Sequence, residues 1–232
     1  MVLTELIEAI FFYPKLHRVL AKAIKETNTL KSENTVVFDV GANKGQYIKF
    51  LNSFSKEKTI YSFEPNPIVY KKLVKFQKNR IRTYNLAIGN QVGQIEFYTY
   101  PFDLTSSLIL PDVNSKHYRF KKLILGSKNI IYNAIKVEID SINNFTEANQ
   151  INQIDILKID VEGSELEVLK GASNLIALNQ VSIIQVEIHF DDLRASTEED
   201  IDIFMNKYGY SLFGKVKHPL GNFGDIIYTH GR

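Results

Sequence analysis

Val36-Val37-Phe38-Asp39-Val40-Gly41-Ala42-Asn43-Lys44-Gly45 is the stretch that decides the fold of this protein. The residues before Gly41 form a short run rich in β-branched and aromatic side chains, which is typical of a central parallel strand. Gly41 and Gly45 free the backbone for a positive φ or for close approach of a ligand. A strand, a glycine-rich turn and a helix form the ligand-binding crevice of an open α/β sheet. Asp39 lies inside the apolar run, where an unpaired carboxylate is costly, and this marks it as a candidate functional residue.

Composition narrows the classes of protein that fit the chain. It has 232 residues, of which 44% are hydrophobic and 23% charged, as expected of one globular domain with or without an appendage. It contains no cysteine, which excludes disulfides, thiolate metal sites and a cysteine nucleophile. The net charge of +2 gives no electrostatic case for a nucleic-acid partner, so none is expected.

The N-terminal sequence predicts a helical extension over residues 1–33. It consists of two short amphipathic helices broken at Pro14, and we expect it to pack on the domain or on a second copy in a homodimer. The alternative is a helix on a membrane surface, because the segment 11–15 contains three aromatic residues and a lysine. No stretch is long enough to span a bilayer. Glu5 and Glu8 interrupt the first apolar residues without a preceding positive segment, so no signal peptide is expected and the predicted location is cytoplasmic.

We expect residues 34–232 to form the main domain, because strand and helix patterns alternate there with short links. Strand patterns occur at 36–40, 59–63, 81–86, 154–159, 181–188, 210–213 and 226–229, and helix patterns at 46–53, 68–77, 164–171 and 197–208. This order predicts a parallel, right-handed arrangement. Residues 94–139 predict an antiparallel insertion that carries a long lid loop. Ser164 and Glu167 have the spacing of a capping box, and Gly171 is the expected glycine after that helix.

Three cofactor chemistries compete for the crevice. A P-loop requires Gly-Lys-Ser/Thr, whereas Gln46 follows Lys44-Gly45 here, and a dinucleotide site requires G-x-G-x-x-G, which Gly41 to Gly45 do not match. S-adenosylmethionine has no phosphate and needs a close backbone turn with acidic acceptors for its ammonium and hydroxyl groups. The acids that follow or end three predicted strands are Asp39, Glu64 and Asp160. Together with the glycine turn they favour S-adenosylmethionine.

Four segments resemble the FkbM family of S-adenosylmethionine-dependent methyltransferases in order and spacing. They are Phe38-Asp39-Val40-Gly41-Ala42-Asn43-Lys44-Gly45, Phe63-Glu64-Pro65-Asn66-Pro67, Asn85-Leu86-Ala87-Ile88-Gly89-Asn90 and Leu157-Lys158-Ile159-Asp160-Val161-Glu162-Gly163-Ser164-Glu165. The resemblance covers roughly residues 35–190. It implies an α/β class I methyltransferase (Rossmann-like) fold, a three-layer sandwich whose seven-stranded, mostly parallel sheet has an antiparallel last strand. It also implies O-methyl transfer to sugars, polyketides or related metabolites.

The same resemblance assigns cofactor-binding positions. The methionine side would be held by Asp39, Gly41, Asn43 and Gly45, the ribose by Glu64 with the adjoining Pro65, and the adenine by Asn85 and Ala87, while Asp160 would close the pocket. A serine of the family faces the site, and Ser106 and Ser107 occupy that position. The individual roles of Lys158 and Glu162 within their motif stay open.

Methyl transfer to a hydroxyl benefits from a general base, and His189 is the first candidate. It follows a buried strand expected to neighbour the strand of Asp160; the alternative is a structural histidine at that strand end. Glu187 and Glu162 are the other candidates for the base, or for groups that orient His189 or bind substrate. Asp160, Glu187 and His189 are also an oxygen-rich set of the kind Mg²⁺ uses, but their spacing is not diagnostic and a divalent metal is not favoured.

The predicted function is in-line methylation of a saccharide or small-molecule hydroxyl with S-adenosylmethionine, assisted by a general base. Two alternatives stay open at this point. One is a non-catalytic binding or assembly module that keeps the fold and the cofactor, and the other is a methyltransferase that acts on a macromolecule.

Overall fold

The computed structural model describes residues 8–29, 34–52, 54, 58–99, 133–189, 197–219 and 221–231. Its strands are β1 (Thr35–Val40), β2 (Lys58–Phe63), β3 (Ile81–Tyr84), β4 (Ala87–Gly89), β5 (Gly93–Thr99), β6 (Asn133–Ser141), β7 (Ile154–Ile159), β8 (Val181–His189), β9 (Tyr210–Lys217) and β10 (Phe223–His230). Its α-helices are α1 (Tyr13–Thr27), α2 (Gln46–Leu51), α3 (Pro67–Leu73), α4 (Ile142–Ala148), α5 (Glu165–Gly171), α6 (Ser173–Ala177) and α7 (Glu198–Lys207).

The main sheet has seven strands in the order β3-β2-β1-β7-β8-β10-β9. The first five of these are mutually parallel, and β10 runs antiparallel to both β8 and β9. The prediction of a mostly parallel sheet with an antiparallel last strand is therefore confirmed. Because parallel strands end at the same edge, the residues after β1, β2, β7 and β8 meet at one side of the sheet.

A second sheet of three strands forms from the middle of the chain. Its order is β4-β6-β5, with β5 antiparallel and β4 parallel to β6. β5 and β6 lie in the predicted antiparallel insertion and pair antiparallel to each other. The predicted third strand, 81–86, ends earlier, at Tyr84, and β4 is an additional short strand that follows it. The predicted lid loop falls on residues 101–132, which lie outside the described residues.

Helices cover both faces of the main sheet and divide the core in two. On one face Leu20 of α1, Ile48 of α2 and Leu73 of α3 pack with inward side chains of the strands. On the other face α4, α5, α6 and α7 pack with Phe38, Leu157 and their neighbours. Alternate residues of a strand point to opposite faces, so successive side chains of β1 enter different cores. The molecule is a three-layer sandwich.

Pro14 does not break the N-terminal segment, contrary to the sequence prediction. A π-helical turn, Glu8–Phe12, leads directly into α1, and Pro14 occupies its first turn. Proline is tolerated there because the N–H groups of the first turn lack a helical partner. Leu16, Leu20 and Ala23 are buried, and α1 packs on β8, β9 and β10. No helix among the described residues has the length and apolar character needed to cross a membrane.

The predicted capping box at Ser164 is wrong. The Ser164 side chain makes no capping hydrogen bond, and Glu167 instead pairs with Lys170. Gly171 is not a residue after the helix but part of α5, where a Cβ atom would lie 1.9 Å from the carbonyl oxygen of Gly89. The close packing of α5 on β4 therefore requires glycine. A capping box does form at the start of α7, between Thr197 and Asp200.

Candidate active site

The turns after three strands are joined by backbone hydrogen bonds into one rim. The amides of Gly41 and Ala42 donate to Phe63 O at 3.1 and 2.9 Å, and the Asp160 amide donates to Val40 O at 3.0 Å. Gly41 has φ +76°, and a Cβ atom there would lie 1.7 Å from the carbonyl oxygen of Asp160. Only glycine allows the β1 turn to approach β7 this closely. The rim is the crevice that the opening stretch of sequence predicted.

Glu64 stands at the end of β2 and ties two turns together. Its carboxylate accepts hydrogen bonds from the backbone amides of Asn43, at 3.0 Å, and Asn66, at 2.8 Å. The residue is 7% exposed. Burial raises the pKa of Glu64 to about 7, against the lowering effect of the two amides and of Lys158. An ionised carboxylate has about four acceptor sites, so two remain after the amides are satisfied.

Asn43 supplies a second acceptor on the same rim. Its backbone is left-handed, with φ 47°, between Gly41 and Gly45, which have the same sense. Its side-chain oxygen is buried without a hydrogen-bond partner among the described residues. A buried acceptor without a donor is costly, so this oxygen suits a donor from a bound group.

Lys158 is the group that joins the β1 turn to the β7 turn. Its ammonium lies 3.0 Å from Asp160 Oδ2, 3.4 Å from Asp39 Oδ1 and 3.2 Å from the carbonyl oxygen of Gly41. The side chain is 9% exposed, and the aromatic ring of Tyr47 lies under the ammonium at 5.7 Å. The two carboxylates raise the pKa of Lys158 and outweigh the loss of solvent. Lys158 is therefore a charged cross-link inside the rim.

Asp39 lies buried beneath the rim, and its contact with a cofactor stays a prediction. Its side chain is completely buried. It points into the layer of α1 and α2, next to the Ser62 side chain, and pairs with Lys158. Burial still raises the pKa of Asp39, although Lys158 lowers it. Asp39 is thus linked to the rim through Lys158.

A row of buried polar side chains continues from Lys158 across β8 and β10. The Tyr47 hydroxyl donates to Gln185 Oε1 at 2.8 Å, and Gln185 Nε2 donates to Asp225 Oδ1 at 2.7 Å. Burial raises the pKa of Asp225 to about 7. The sequence showed Gln185 as an interruption of an apolar strand but not its partners, which come from distant segments.

Glu187 and Asp160 form a hydrogen-bonded pair of carboxyl groups at the end of β7 and β8. Two carboxyl groups hydrogen-bond to each other only when one of them carries a proton. Burial, Asp160, Asp225 and Glu162 all raise the pKa of Glu187, and the Lys158 ammonium lies 3.0 Å from Asp160. The raised pKa favours the protonated form of Glu187, in which its carboxyl group donates a hydrogen bond. Glu162 has a left-handed backbone in the turn after β7, with φ 59°.

His189 is the last residue of β8 and lies on the same face of the strand as Glu187. Its ring stacks on Phe223, with centroids 5.4 Å apart, and Phe223 stacks in turn on His218 at 4.2 Å. Phe12 of the N-terminal segment packs against His218 at 5.1 Å. This aromatic column fixes the imidazole at the carboxyl edge of the sheet while leaving it partly exposed.

The remaining predicted positions have mixed surroundings. Asn85 is exposed, and its amide donates to the carbonyl oxygens of Glu64 and Pro65, at 2.8 and 2.9 Å, so it supports the β2 turn. Ala87 packs into the core of the small sheet and is 2% exposed. Ser106 and Ser107 lie outside the described residues. Contacts of any of these with a cofactor stay predictions.

The predicted alternative of a metal set is not assembled in the described part of the chain. No group of three or more His, Asp or Glu side chains there has the arrangement to hold a metal ion. Lys158 already lies against Asp160, one of the three residues considered.

Comparison of the sequence with known proteins finds relatives that are all named as methyltransferases. The model of the methyltransferase FkbM domain matches residues 39–212, about three quarters of the chain. Hexuronic acid methyltransferase AglP of Haloferax volcanii is 29% identical over 160 residues, which are 68% of this chain and 57% of that protein. The 2-O-methyltransferase NoeI of Sinorhizobium fredii is 22% identical, over 68% of this chain and 63% of that protein. The 31-O-demethyl-FK506 methyltransferase FkbM of Streptomyces tacrolimicus is 26% identical, over 60% of each chain.

These alignments span about three fifths of the relatives' own lengths. Among solved structures, the METTL16 MTase domain superposes with a TM-score of 0.52 at 9% identity, covering 94% of this chain and 68% of that one. Identity at this level shows the fold alone, which is the class I methyltransferase fold. The extent of the domain match, the strand order and the rim after β1 agree, and the chain belongs to the family of methyltransferase FkbM domains.

Proposed function

We propose that this protein transfers a methyl group from S-adenosylmethionine to a hydroxyl group of a saccharide or a related small molecule. The observation that carries the proposal is Glu64, a buried carboxylate that two backbone amides hold at the end of β2, on the rim formed by the β1 turn. The family membership and the activities for which the relatives are named support the same reaction.

The residues of the rim fit this cofactor. Glu64 retains two acceptor sites, which match the two hydroxyl groups of a ribose. The unpartnered oxygen of Asn43 suits the ammonium group of the methionine part. The turn from Gly41 to Gly45 has no long side chain except Lys44, so its backbone is open to close approach.

When bound, S-adenosylmethionine supplies a methyl group on a positively charged sulfur. The chain's own residues then have to position an acceptor oxygen in line and remove its proton. His189 is the residue we assign to the proton, because its imidazole is fixed by Phe223 at the edge where the strands end. Glu187 is a poorer base, since burial and neighbouring carboxylates favour its protonated form. Lys158 positions Asp160 and the Gly41 carbonyl.

The acceptor class comes from the relatives. AglP is named for hexuronic acid, NoeI for a 2-O-position and FkbM for a 31-O-position of FK506. Hydroxylated acceptors, with hexuronic acids among them, are therefore the first to be tested.

Cofactor binding is tested by calorimetry with S-adenosylhomocysteine on the wild type, Glu64→Gln and a matched control, Asp155→Asn. Asp155 accepts the amide of Val36 at 2.8 Å at the opposite end of β7, and burial raises its pKa as well. We expect Glu64→Gln to weaken binding at least tenfold and Asp155→Asn to leave it unchanged. Equal binding by the wild type and Glu64→Gln would refute the role of Glu64, and no binding by the wild type would refute the cofactor.

The pH dependence gives an independent test. Hydrogen bonds from two hydroxyl groups favour the ionised form of Glu64, whose pKa in the free protein is about 7. Binding should therefore release a proton near neutral pH, and affinity should fall about tenfold per pH unit below 7. The affinity of Glu64→Gln should lack this dependence.

Methyl transfer is measured with radiolabelled cofactor on a panel of hexuronic acids, hexosamines and their oligosaccharides. We expect His189→Ala and His189→Asn to retain cofactor affinity and to lose at least a hundredfold in kcat, with the loss reduced at high pH. Cofactor binding without transfer to any hydroxylated acceptor would assign the protein to the non-catalytic binding modules instead.

A further inference from the structure

The two helical layers of the sandwich carry opposite charges. The layer of α1, α2, α3 and the 3₁₀ turn Val74–Phe76 contains eight lysines and arginines against one glutamate, a net charge of +7. Glu8 in the preceding π-helical turn lowers this to +6. The layer of α4, α5, α6 and α7 contains seven acidic residues against two lysines, a net charge of −5. The overall charge of +2 conceals this separation of charge between the two layers.

The basic residues of α1 form one exposed stripe. They recur every three or four residues, the spacing of a single helix face, and comprise Lys15, Arg18, Lys22 and Lys25. The opposite face of the helix is buried on the sheet through Leu16 and Leu20. Glu26 is the single acidic residue of α1, and it lies 3.7 Å from Lys22. The stripe therefore presents a concentrated positive charge to solvent.

The other elements of the same layer extend the positive surface. Lys49 of α2, Lys71 and Lys72 of α3, and Lys75 of the 3₁₀ turn are all exposed, and these three elements contain no acidic residue. The sheet lies between this layer and the acidic one, so the charges are held on opposite sides of the molecule. A rigid separation of this kind orients a protein on a charged plane.

Large apolar side chains are exposed within the basic layer. Ile10 and Phe11, in the π-helical turn that precedes α1, are 53% and 55% exposed, and Ile68 in α3 is 62% exposed. Clustered lysine and arginine with exposed aromatic and aliphatic side chains is the composition of a surface that binds at the interface of a bilayer. Nucleic acid would match the charge but offers no apolar phase for these side chains.

We propose that the layer formed by α1, α2 and α3 binds the surface of an anionic lipid membrane, with the α1 stripe on the headgroups and Ile10 and Phe11 at the acyl boundary. The opposite layer is repelled, which fixes the orientation of the molecule. The proposal does not depend on methyl transfer, and its test uses the protein without cofactor.

The first experiment is co-sedimentation with vesicles of phosphatidylcholine alone or with 30% phosphatidylserine, at about 0.1 M salt. We expect binding only to the anionic vesicles. The test variant is K15Q/R18Q/K25Q, and the matched control is K136Q/K170Q/K207Q, which removes the same charge outside the basic layer. Each charge near the surface is worth about a fivefold change in affinity, so the test variant should bind about a hundredfold more weakly and the control no more than a few-fold. Circular dichroism checks that both triple variants are folded.

The second experiment reports insertion. The chain has no tryptophan, so Phe11→Trp introduces a single tryptophan whose emission can be excited selectively, and the control is Ile203→Trp, at an exposed position of α7. We expect the emission of Phe11→Trp to shift to the blue on addition of anionic vesicles and that of Ile203→Trp to stay unchanged. Equal loss of binding in the two triple variants, binding to uncharged vesicles, or tighter binding to a duplex RNA of equal charge than to vesicles would each overturn the proposal.

Discussion

Removal of the Lys158 ammonium is the sharpest perturbation of the rim. Lys158→Met keeps the length of the side chain but leaves Asp39, which is completely buried, without its cation. Asp160 is partly exposed, so water compensates in part for the loss of its ion pair with Lys158. Breaking a buried ion pair by removing one partner typically costs about 3–5 kcal/mol of the free energy of unfolding.

The structure sets a limit on this cost and its pH dependence. The orphaned Asp39 can take up a proton, which costs about 1.4 kcal/mol per pH unit above its usual pKa of about 4, or at most about 4 kcal/mol at pH 7. Its pKa in the folded variant then lies above that in the unfolded chain, so stability falls as pH rises. The penalty of Lys158→Met should therefore shrink to about 1.5 kcal/mol at pH 5.

The assay is urea unfolding followed by circular dichroism at pH 5 and pH 7, with Tm as a second measure. At pH 7 we expect Tm to fall by about 10 °C. Asp39→Asn added to Lys158→Met removes the buried charge and should restore at least half of the loss. Lys58→Met is the control, because Lys58 is also buried and its pKa shift is opposite to that of Lys158, since burial lowers it. A penalty that is the same at both pH values, or that Asp39→Asn does not reduce, would refute the reasoning.

Three further perturbations test separate parts of the fold by urea unfolding. The pKa of Glu64 is about 7 in the folded protein and lower in the unfolded chain, so its ionisation destabilises the folded state. As pH rises from about 4.5 to about 7, the free energy of unfolding of the wild type should fall by about 3 kcal/mol relative to that of Glu64→Gln. A difference that stays constant with pH would contradict this. Gly171→Ala forces a Cβ atom against the β4 backbone and should lower the free energy of unfolding by about 3 kcal/mol. Gly231→Ala is its control: the added Cβ atom would lie 3.7 Å from its nearest neighbour, and stability should change by less than about 0.5 kcal/mol. Equal effects of the two substitutions would contradict the packing argument. Thr197→Ala removes a capping box and should cost about 1 kcal/mol, and Ser164→Ala less than half of that; the reverse order would show that the caps are misassigned.

The fold followed from local patterns because each carries its own physical signal. Short β-branched runs that end in glycine or acidic turns predict parallel strands, and β1, β2, β7 and β8 formed where these runs lie. The capping box was misplaced because Ser164 and Thr197 both match the pattern, and only the conformation of each turn decides whether the side chain reaches the backbone amide. The sequence pattern also predicts Gly171 as the glycine after a helix, whereas it lies within α5 against β4. A glycine that ends a helix and a glycine that packs under a crossing strand look alike in sequence.

The candidate site divides in the same way. The sequence by itself determined the family, the strand ends that carry Glu64 and Asp160, and the glycines of the β1 turn, because turn geometry and strand spacing are local. Only the tertiary structure decided that Asp39 pairs with Lys158, that Gln185 joins a buried row, and that the charges separate onto two faces. Which charges meet, and which side chains lose water, depends on segments far apart in the chain, and burial and pairing energies exist only once those segments are packed.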